Sequence, residues 1–169
     1  MKILVLDIET TGLSSRKNEI LELGMVELDL ETGDTKPLFD KVFKSPNLRA
    51  SDHNAWIFEN GFMKIEEVRD AKPISEYQEE IQTMFNKYKY VSAWSSSFDF
   101  GFLEQDGFII KGKLPCPMKT SAEWFAIPNK WGKLGKWASV DEAWTRLFGE
   151  ETEYKEIHRG YDDAVHEAK

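Results

Sequence analysis

The sequence predicts an α/β domain. It reads as a mixed sheet of about five strands, an antiparallel meander extended by parallel strands, with helices on its flanks. Three observations carry this. Ile3, Leu4, Val5 and Leu6 form an unbroken apolar run, as a central strand buried on both faces requires. Two more strand-like stretches follow at residues 20–30 and 37–44, joined by the turn Glu31-Thr32-Gly33-Asp34. From residue 74 onward, helical and strand patterns alternate.

In order, residues 14–18 form a polar loop after the first strand. Ile20, Leu21, Leu23, Met25, Val26, Leu28 and Leu30 make the second strand, and Pro37 marks the third as an edge strand. Residues 51–61 predict a short helix ended by Gly61, with a loop onward to Pro73. Ser75 and Gln78 have the spacing of a capping box, and Ile74, Tyr77, Ile81, Met84, Phe85 and Tyr88 form one helical apolar face. Residues 90–94 predict a short strand and 98–106 a helix closed by Gly107. A last strand is expected at 114–118 and a helix at 119–125. Ser139 and Glu142 form a second capping box, opening a helix with Val140, Ala143, Trp144, Leu147 and Phe148 on its buried face and Gly149 as its stop. A charged connection over 150–157 leads to a final helix from about Gly160 to the end. Repeats, low-complexity tracts and linkers are missing, so residues 1–169 read as a single domain.

Composition narrows the function. With 41% hydrophobic residues the chain has a core, so it is not a disordered polypeptide. Its apolar runs are all far shorter than the ~20 residues of a membrane span, and the N-terminus lacks a signal-peptide pattern. The lone Cys116 permits no internal disulfide, and no Cys/His set has zinc spacing, which makes a reducing compartment, the cytoplasm, the default. A net charge of −8 argues against a protein that coats long nucleic acid through a broad basic face. It is compatible with an enzyme that grips a strand end through metal ions.

The chemistry begins at the end of the first strand. Asp7 and Glu9 are two apart, so their side chains share a face. Two anions at the end of a buried strand repel unless a cation lies between them, and hard divalent cations take oxygen ligands. Asp99 sits at the start of a predicted helix. His158 lies just outside another whose first turns carry Asp162 and Asp163. Taken singly, each of these acids also suits a helix N-terminus.

Together, Asp7-x-Glu9, Phe98-Asp99, and His158 with Asp163 five residues on resemble the DEDDh group of 3′–5′ exonucleases. That group includes polymerase proofreading subunits, ribonuclease T and oligoribonuclease. The run Asp7-Ile8-Glu9-Thr10-Thr11-Gly12-Leu13 is close to the group's first motif. Glu22-Leu23-Gly24, Asn60-Gly61-Phe62 and Leu147-Phe148-Gly149 resemble its joining segments, so the likeness covers nearly the whole chain. The sister group has a tyrosine with an acid four residues on. Tyr161 is followed at that distance by Val165 and Tyr154 by His158, so that version does not fit. Asp163 rather than Asp162 has the group's spacing; neighbouring helical residues point about 100° apart, leaving Asp162 to an outer position or to solvent. Two departures stand out. Trp94-Ser95 replace the usual His-Asn before the second motif, and Gly160 replaces a small Ala, which should loosen the helix start.

The resemblance implies a ribonuclease H-like fold and hydrolysis of phosphodiester bonds from the 3′ end of single-stranded DNA or RNA, releasing nucleoside 5′-monophosphates. It implies two divalent ions, Mg²⁺ or Mn²⁺, held by Asp7, Glu9, Asp99 and Asp163, with His158 as general base. Asp7 would bridge both ions. Thr10, Thr11 and Gly12 would hold the terminal nucleotide, with Leu13 against its base or, equally, packed as an ordinary loop anchor. A DNA polymerase or a second copy of the chain are the partners such proteins keep. The rival class is a non-catalytic module of the same fold that binds strand ends or docks a polymerase; the intact set of four acids and a histidine argues against it.

One stretch lies outside that pattern. Trp124-Phe125 is followed by Lys130-Trp131-Gly132-Lys133-Leu134-Gly135-Lys136-Trp137, the most basic run of an acidic chain. Lysines interleaved with tryptophans suit a path for a single strand, with Lys133 and Lys136 as contacts. The blander reading, preferred on residues alone, is a loop whose tryptophans anchor it to the core.

Overall fold

The computed structural model describes residues 1–48, 54–149 and 156–169. Strand β1 (Lys2–Thr10) lies inside the sheet. It pairs antiparallel with β2 (Ile20–Asp29), which pairs antiparallel with β3 (Thr35–Val42), and it pairs parallel with β4 (Val91–Ser92). The order is β3-β2-β1-β4. As expected, β3 is the edge strand, and Pro37 sits where the β2–β3 register shifts, a place where its missing N–H costs little.

The expected fifth strand at 114–118 is not formed. Val91 exchanges bonds with its neighbours there, donating to Gly112 and accepting from Leu114, but the pairing stops at one bridge to Lys113. Pro115 and Pro117 explain the stop: each lacks the N–H a ladder needs. Among the described residues the sheet therefore has four strands.

The apolar run of β1 is sorted by alternation. Leu4, Leu6 and Ile8 face a cluster with Ile81 and Phe85 of α3 (Gln78–Lys87) and Phe100 and Leu103 of α4 (Ser96–Gln105). Ile3 and Val5 face the other way, against Ala164 and Ala168 of the C-terminal segment, where α8 (Gly160–Glu167) packs. Asp7 and Glu9 continue the odd-numbered face, so the sheet's own pleat aims both carboxylates at the α8 side.

Other helices differ in detail from expectation. The helix expected at 51–61 is α1 (Trp56–Glu59), with residues 51–53 outside the described residues. An unexpected α2 (Ile65–Asp70) occupies the following loop and buries Val68. The Ser75–Gln78 cap does not form. The chain enters α3 through a 3₁₀ turn (Ile74–Tyr77) whose Glu76 N–H already bonds to Pro73, placing Ser75 inside the turn. The helix expected at 119–125 starts earlier and is two single turns, α5 (Pro117–Thr120) and α6 (Ala122–Phe125). The Ser139–Glu142 box does form, at α7 (Val140–Phe148). Only Val140 and Ala143 of its expected face are buried; Leu147 and Phe148 remain about half exposed. Most of the charged connection, residues 150–155, lies outside the described residues. Among those described, no helix is long and apolar enough to cross a membrane.

Candidate metal centre and strand-end site

At the C-terminal end of β1 the structure has a cavity of about 230 Å³. Asp7 and Glu9 reach it from β1, Asp99 from the first turn of α4, and His158 from the approach to α8. Asp163 stands beside them on α8. Ligand atoms of Glu9, His158 and Asp163 all lie within 4.8 Å of one another. The five residues singled out in the sequence thus converge from three elements. A bulge beside Glu9 and Thr10, where Leu21 of β2 goes unpaired, ends the ladder there.

Two glycines set the approach of α8. A β-carbon on Gly24 of β2 would fall 2.1 Å from backbone atoms of Gly160 and Tyr161, and one on Gly160 would fall 2.9 Å from the Gly24 nitrogen and 3.1 Å from the Asp7 carbonyl oxygen. Gly160 therefore does not loosen the helix; it lets the helix start rest on the sheet backbone. Arg159 locks the same junction. Its guanidinium donates to both carboxylate oxygens of buried Glu22 at 3.0–3.1 Å and to Glu67 of α2 at 3.2 Å. Asp163 accepts from the backbone N–H of Arg159 at 3.0 Å, which fixes one of its oxygens. Asp162 is exposed, as its position one residue earlier demands.

His158 is held unusually. Its φ is +54°, in the left-handed region that a β-carbon disfavours. Its ring stands edge-on to Trp56 and Phe62, with centroids 4.6 and 4.4 Å away. Its Nδ1 is 3.7 Å from a Glu156 oxygen. Burial lowers its pKa below the ordinary 6.5, against the pull of Asp163 and Asp141, and so favours the neutral imidazole.

The carboxylates strain in the opposite direction. Burial, then the charges of Glu167, Asp99, Glu9 and Asp163, push Asp7 well above the carboxylate range. Burial, followed by Asp163, Glu22, Glu156 and Asp99, raises Glu9 to about 9. Burial raises Asp99 to about 7, although backbone N–H groups, its own and that of Ile8, hold its charged form. Among the described residues, no lysine or arginine lines the cavity. Oxygen donors crowded in a buried space with no cation of their own are the donor set that hard divalent ions take. The residues present therefore fit such ions.

Two acids in the cavity were not anticipated. Glu167 follows Asp163 by four residues, so both lie on one face of α8; that spacing was a usable signal. Its carboxylate accepts from the Trp94 N–H at 3.0 Å and is the largest charge acting on Asp7. Glu156, two before His158, is raised to about 7 by burial and by Asp163 and Asp141.

The turn after β1 lies next to the cavity in sequence. Thr10 donates through its hydroxyl to the Gly12 carbonyl at 2.8 Å, and Thr11 accepts from the Glu19 N–H at 3.0 Å, so both hydroxyls are used within the turn. Gly12 lies against the Asn18 side chain, where a β-carbon would come within 2.8 Å. Leu13 is 90% exposed, which removes its reading as a loop anchor. Lys133 is exposed, and Lys136 is ion-paired with Glu142. The tryptophans of this stretch do not anchor it. Trp124, Trp131 and Trp137 are all more than half exposed, while Phe125, Ala138 and Ala143 form the local core with Trp94 and Ile127.

Residues 4–169 match the RNase_T family model, described as an exonuclease. Among curated protein sequences none matches the chain. Solved structures do. E. coli exonuclease I in complex with a dA16 oligonucleotide superposes with a TM-score of 0.71 at 11% identity, covering 99% of this chain and 39% of that one. The same enzyme with a dT13 oligonucleotide gives 0.71 at 12% identity, with the same coverage. A full-length 3′-exonuclease gives 0.60 at 15% identity, covering 99% of this chain and 78% of that one. The chain thus spans about two fifths of the length of exonuclease I. At these identities the likeness is one of fold, and the fold is the ribonuclease H-like one.

Proposed function

Because the chain belongs to the DEDDh exonuclease family, we propose that it removes nucleotides from the 3′ end of single-stranded nucleic acid by hydrolysis. The observation that carries this is the meeting of Glu9, Asp163 and His158 within 4.8 Å, beside half-buried Asp7 and buried Asp99. Asp7, Glu9, Asp99 and Asp163 would hold two divalent ions, Mg²⁺ or Mn²⁺. Such ions, when bound, neutralise phosphate charge and acidify water.

His158 is the general base. Glu156 faces its Nδ1, which leaves Nε2 to take the proton of the attacking water, and the lowered pKa keeps that nitrogen free at neutral pH. The water oxygen bonds to phosphorus as the bond to the upstream 3′ oxygen breaks. That oxygen leaves with a proton, and a nucleoside 5′-monophosphate is released. Leu13, exposed at the turn after β1, is offered to the terminal base, and the backbone of Thr10, Thr11 and Gly12 borders its sugar. Lys133 and Lys136 contribute charge to the strand farther from the cavity.

The test uses 5′-labelled single strands of DNA and RNA, with Mg²⁺, Mn²⁺ or EDTA, against Asp7→Ala. A ladder shortening from the 3′ end, lost in EDTA and in the variant, is the expected result and names the sugar as well. If neither strand shortens in either metal, the protein is a binding module of the same fold.

A further inference from the structure

We propose that the hairpin at 127–137 is a stacking platform for the single strand upstream of its 3′ end. The proposal rests on the exonuclease reading only for the direction in which the strand lies.

Two indoles of the hairpin stand in solvent, Trp131 78% exposed and Trp137 57%, with Leu134 at 64% between them in sequence, and Trp124 on α6 just before it is 70% exposed. So much aromatic surface gathered on one segment marks a surface that something covers. It is not needed to hold the segment down. Trp94 does that from the cavity rim, donating its indole N–H to the Ala138 carbonyl at 3.0 Å, over a core of Phe125, Ala138 and Ala143. The replacement at Trp94 and the tryptophan hairpin are thus one device, tying the segment to the rim of the site.

The hairpin is preorganised. Pro128 and Leu134 form an antiparallel bridge, Lys136 donates to the Ile127 carbonyl at 3.0 Å, and the Asn129 side chain accepts from the N–H groups of Trp131 and Lys133 at 2.9 and 3.1 Å. A rigid platform loses little freedom when a ligand settles on it.

Charge and continuity identify the occupant. Lys130 stands 4.4 Å from the Trp131 ring centroid, and Lys119 5.0 Å from that of Trp137. A base and a lysine can take opposite faces of one indole, with the next phosphate within reach of the ammonium group. In a chain of net charge −8, lysines concentrated on this aromatic segment suit a polyanion. Met118 and Ser139 line the cavity, and Lys119 also donates to Ser97 of α4 at 2.9 Å. The hairpin therefore joins the cavity rim at Ser139, next to Trp137 and Lys119, and carries Trp131 in its tip between Asn129 and Lys133.

The test is equilibrium binding of 5′-labelled dT and U strands of about 12 nucleotides to the full chain in EDTA, read by fluorescence anisotropy. Trp131→Ala with Trp137→Ala should weaken binding at least about 10-fold, and Trp131→Phe with Trp137→Phe should restore most of it. Lys130→Ala with Lys133→Ala should reduce the log–log salt slope by about 1.4, or 0.7 for each phosphate. Melting curves establish that each variant is folded; should the alanine pair fail to fold, the phenylalanine and lysine pairs still decide. Unchanged affinity and slope, or no binding by the wild-type chain at low salt, overturns the platform. A wild-type chain that binds through the hairpin yet never shortens a strand in Mg²⁺ or Mn²⁺ overturns the exonuclease reading instead.

Discussion

Gly24 of β2 and Gly160 of α8 meet backbone to backbone, so closely that a β-carbon on Gly24 would sit 2.1 Å from the Gly160 carbonyl. That contact sets the distance between the acids of β1 and those of α8. Gly24→Ala must push the helix off the sheet, and a loss of roughly 3 kcal/mol or more in a denaturant titration is expected. Gly160→Ala meets the same backbone at 2.9 Å and should cost clearly less. The order of the two, read alongside divalent-ion affinity, tests whether the junction spaces the site.

Stability without metal should fall as pH rises. The Glu9 carboxyl titrates near 4.5 in an unfolded chain and is raised to about 9 in the fold. Between those values the folded state binds the extra proton, so each step upward in pH favours the unfolded chain. Asp99 and Glu156, both raised to about 7, act in the lower part of that window. In EDTA, Tm should decline from about pH 5 to about pH 9. Added Mg²⁺ or Mn²⁺ should restore it strongly at the alkaline end and barely at the acid end, as thermal melts would register.

In the proposed role of general base, His158 acts only when neutral. Its lowered pKa places the acid limb of the kcat/KM profile below pH 6.5, with activity lost as pH falls through it. His158→Asn should lower kcat by about 10²- to 10⁴-fold and remove that limb. Trp56→Ala opens one side of the ring's aromatic seat to water. The limb should then move up toward 6.5 while kcat drops; a merely structural tryptophan would leave the profile in place.

Glu167→Gln separates two effects of one charge. The amide oxygen can still accept from the Trp94 N–H, but the largest charge acting on Asp7 is gone. The metal-free protein should therefore melt higher than wild type, while Mn²⁺ binding, titrated calorimetrically, weakens by about 10-fold. Equal metal affinity in the two proteins would mean Glu167 serves only to hold Trp94.

Much of the site could be read from the linear sequence because its parts obey local rules. Alternation along β1 puts Asp7 and Glu9 on one face, and helical spacing separates Asp163 from Asp162. What escaped depends on tertiary contact. Glu156 is an ordinary surface acid until α8 lies against β1, and Glu167 is marked locally only by its four-residue spacing from Asp163. The tryptophans of 124–137 looked like anchors because nothing local reveals that Trp94, far off in sequence, already fills that role. The missing fifth strand was written in Pro115 and Pro117, whose lost donors outweigh the apolar residues around them. The expected cap at Ser75 failed because Pro73 had already begun the turn.

Asp7 and Glu9 come from β1 and Asp163 and Glu167 from α8, with every other described element lying between the two in the chain. The donor set is therefore incomplete until α8 lies on β1, because α4 brings only Asp99 to the acids of the first strand. Lifting α8 off the sheet thus takes Asp163 and Glu167 away together, so the docked helix acts as a clasp on the site.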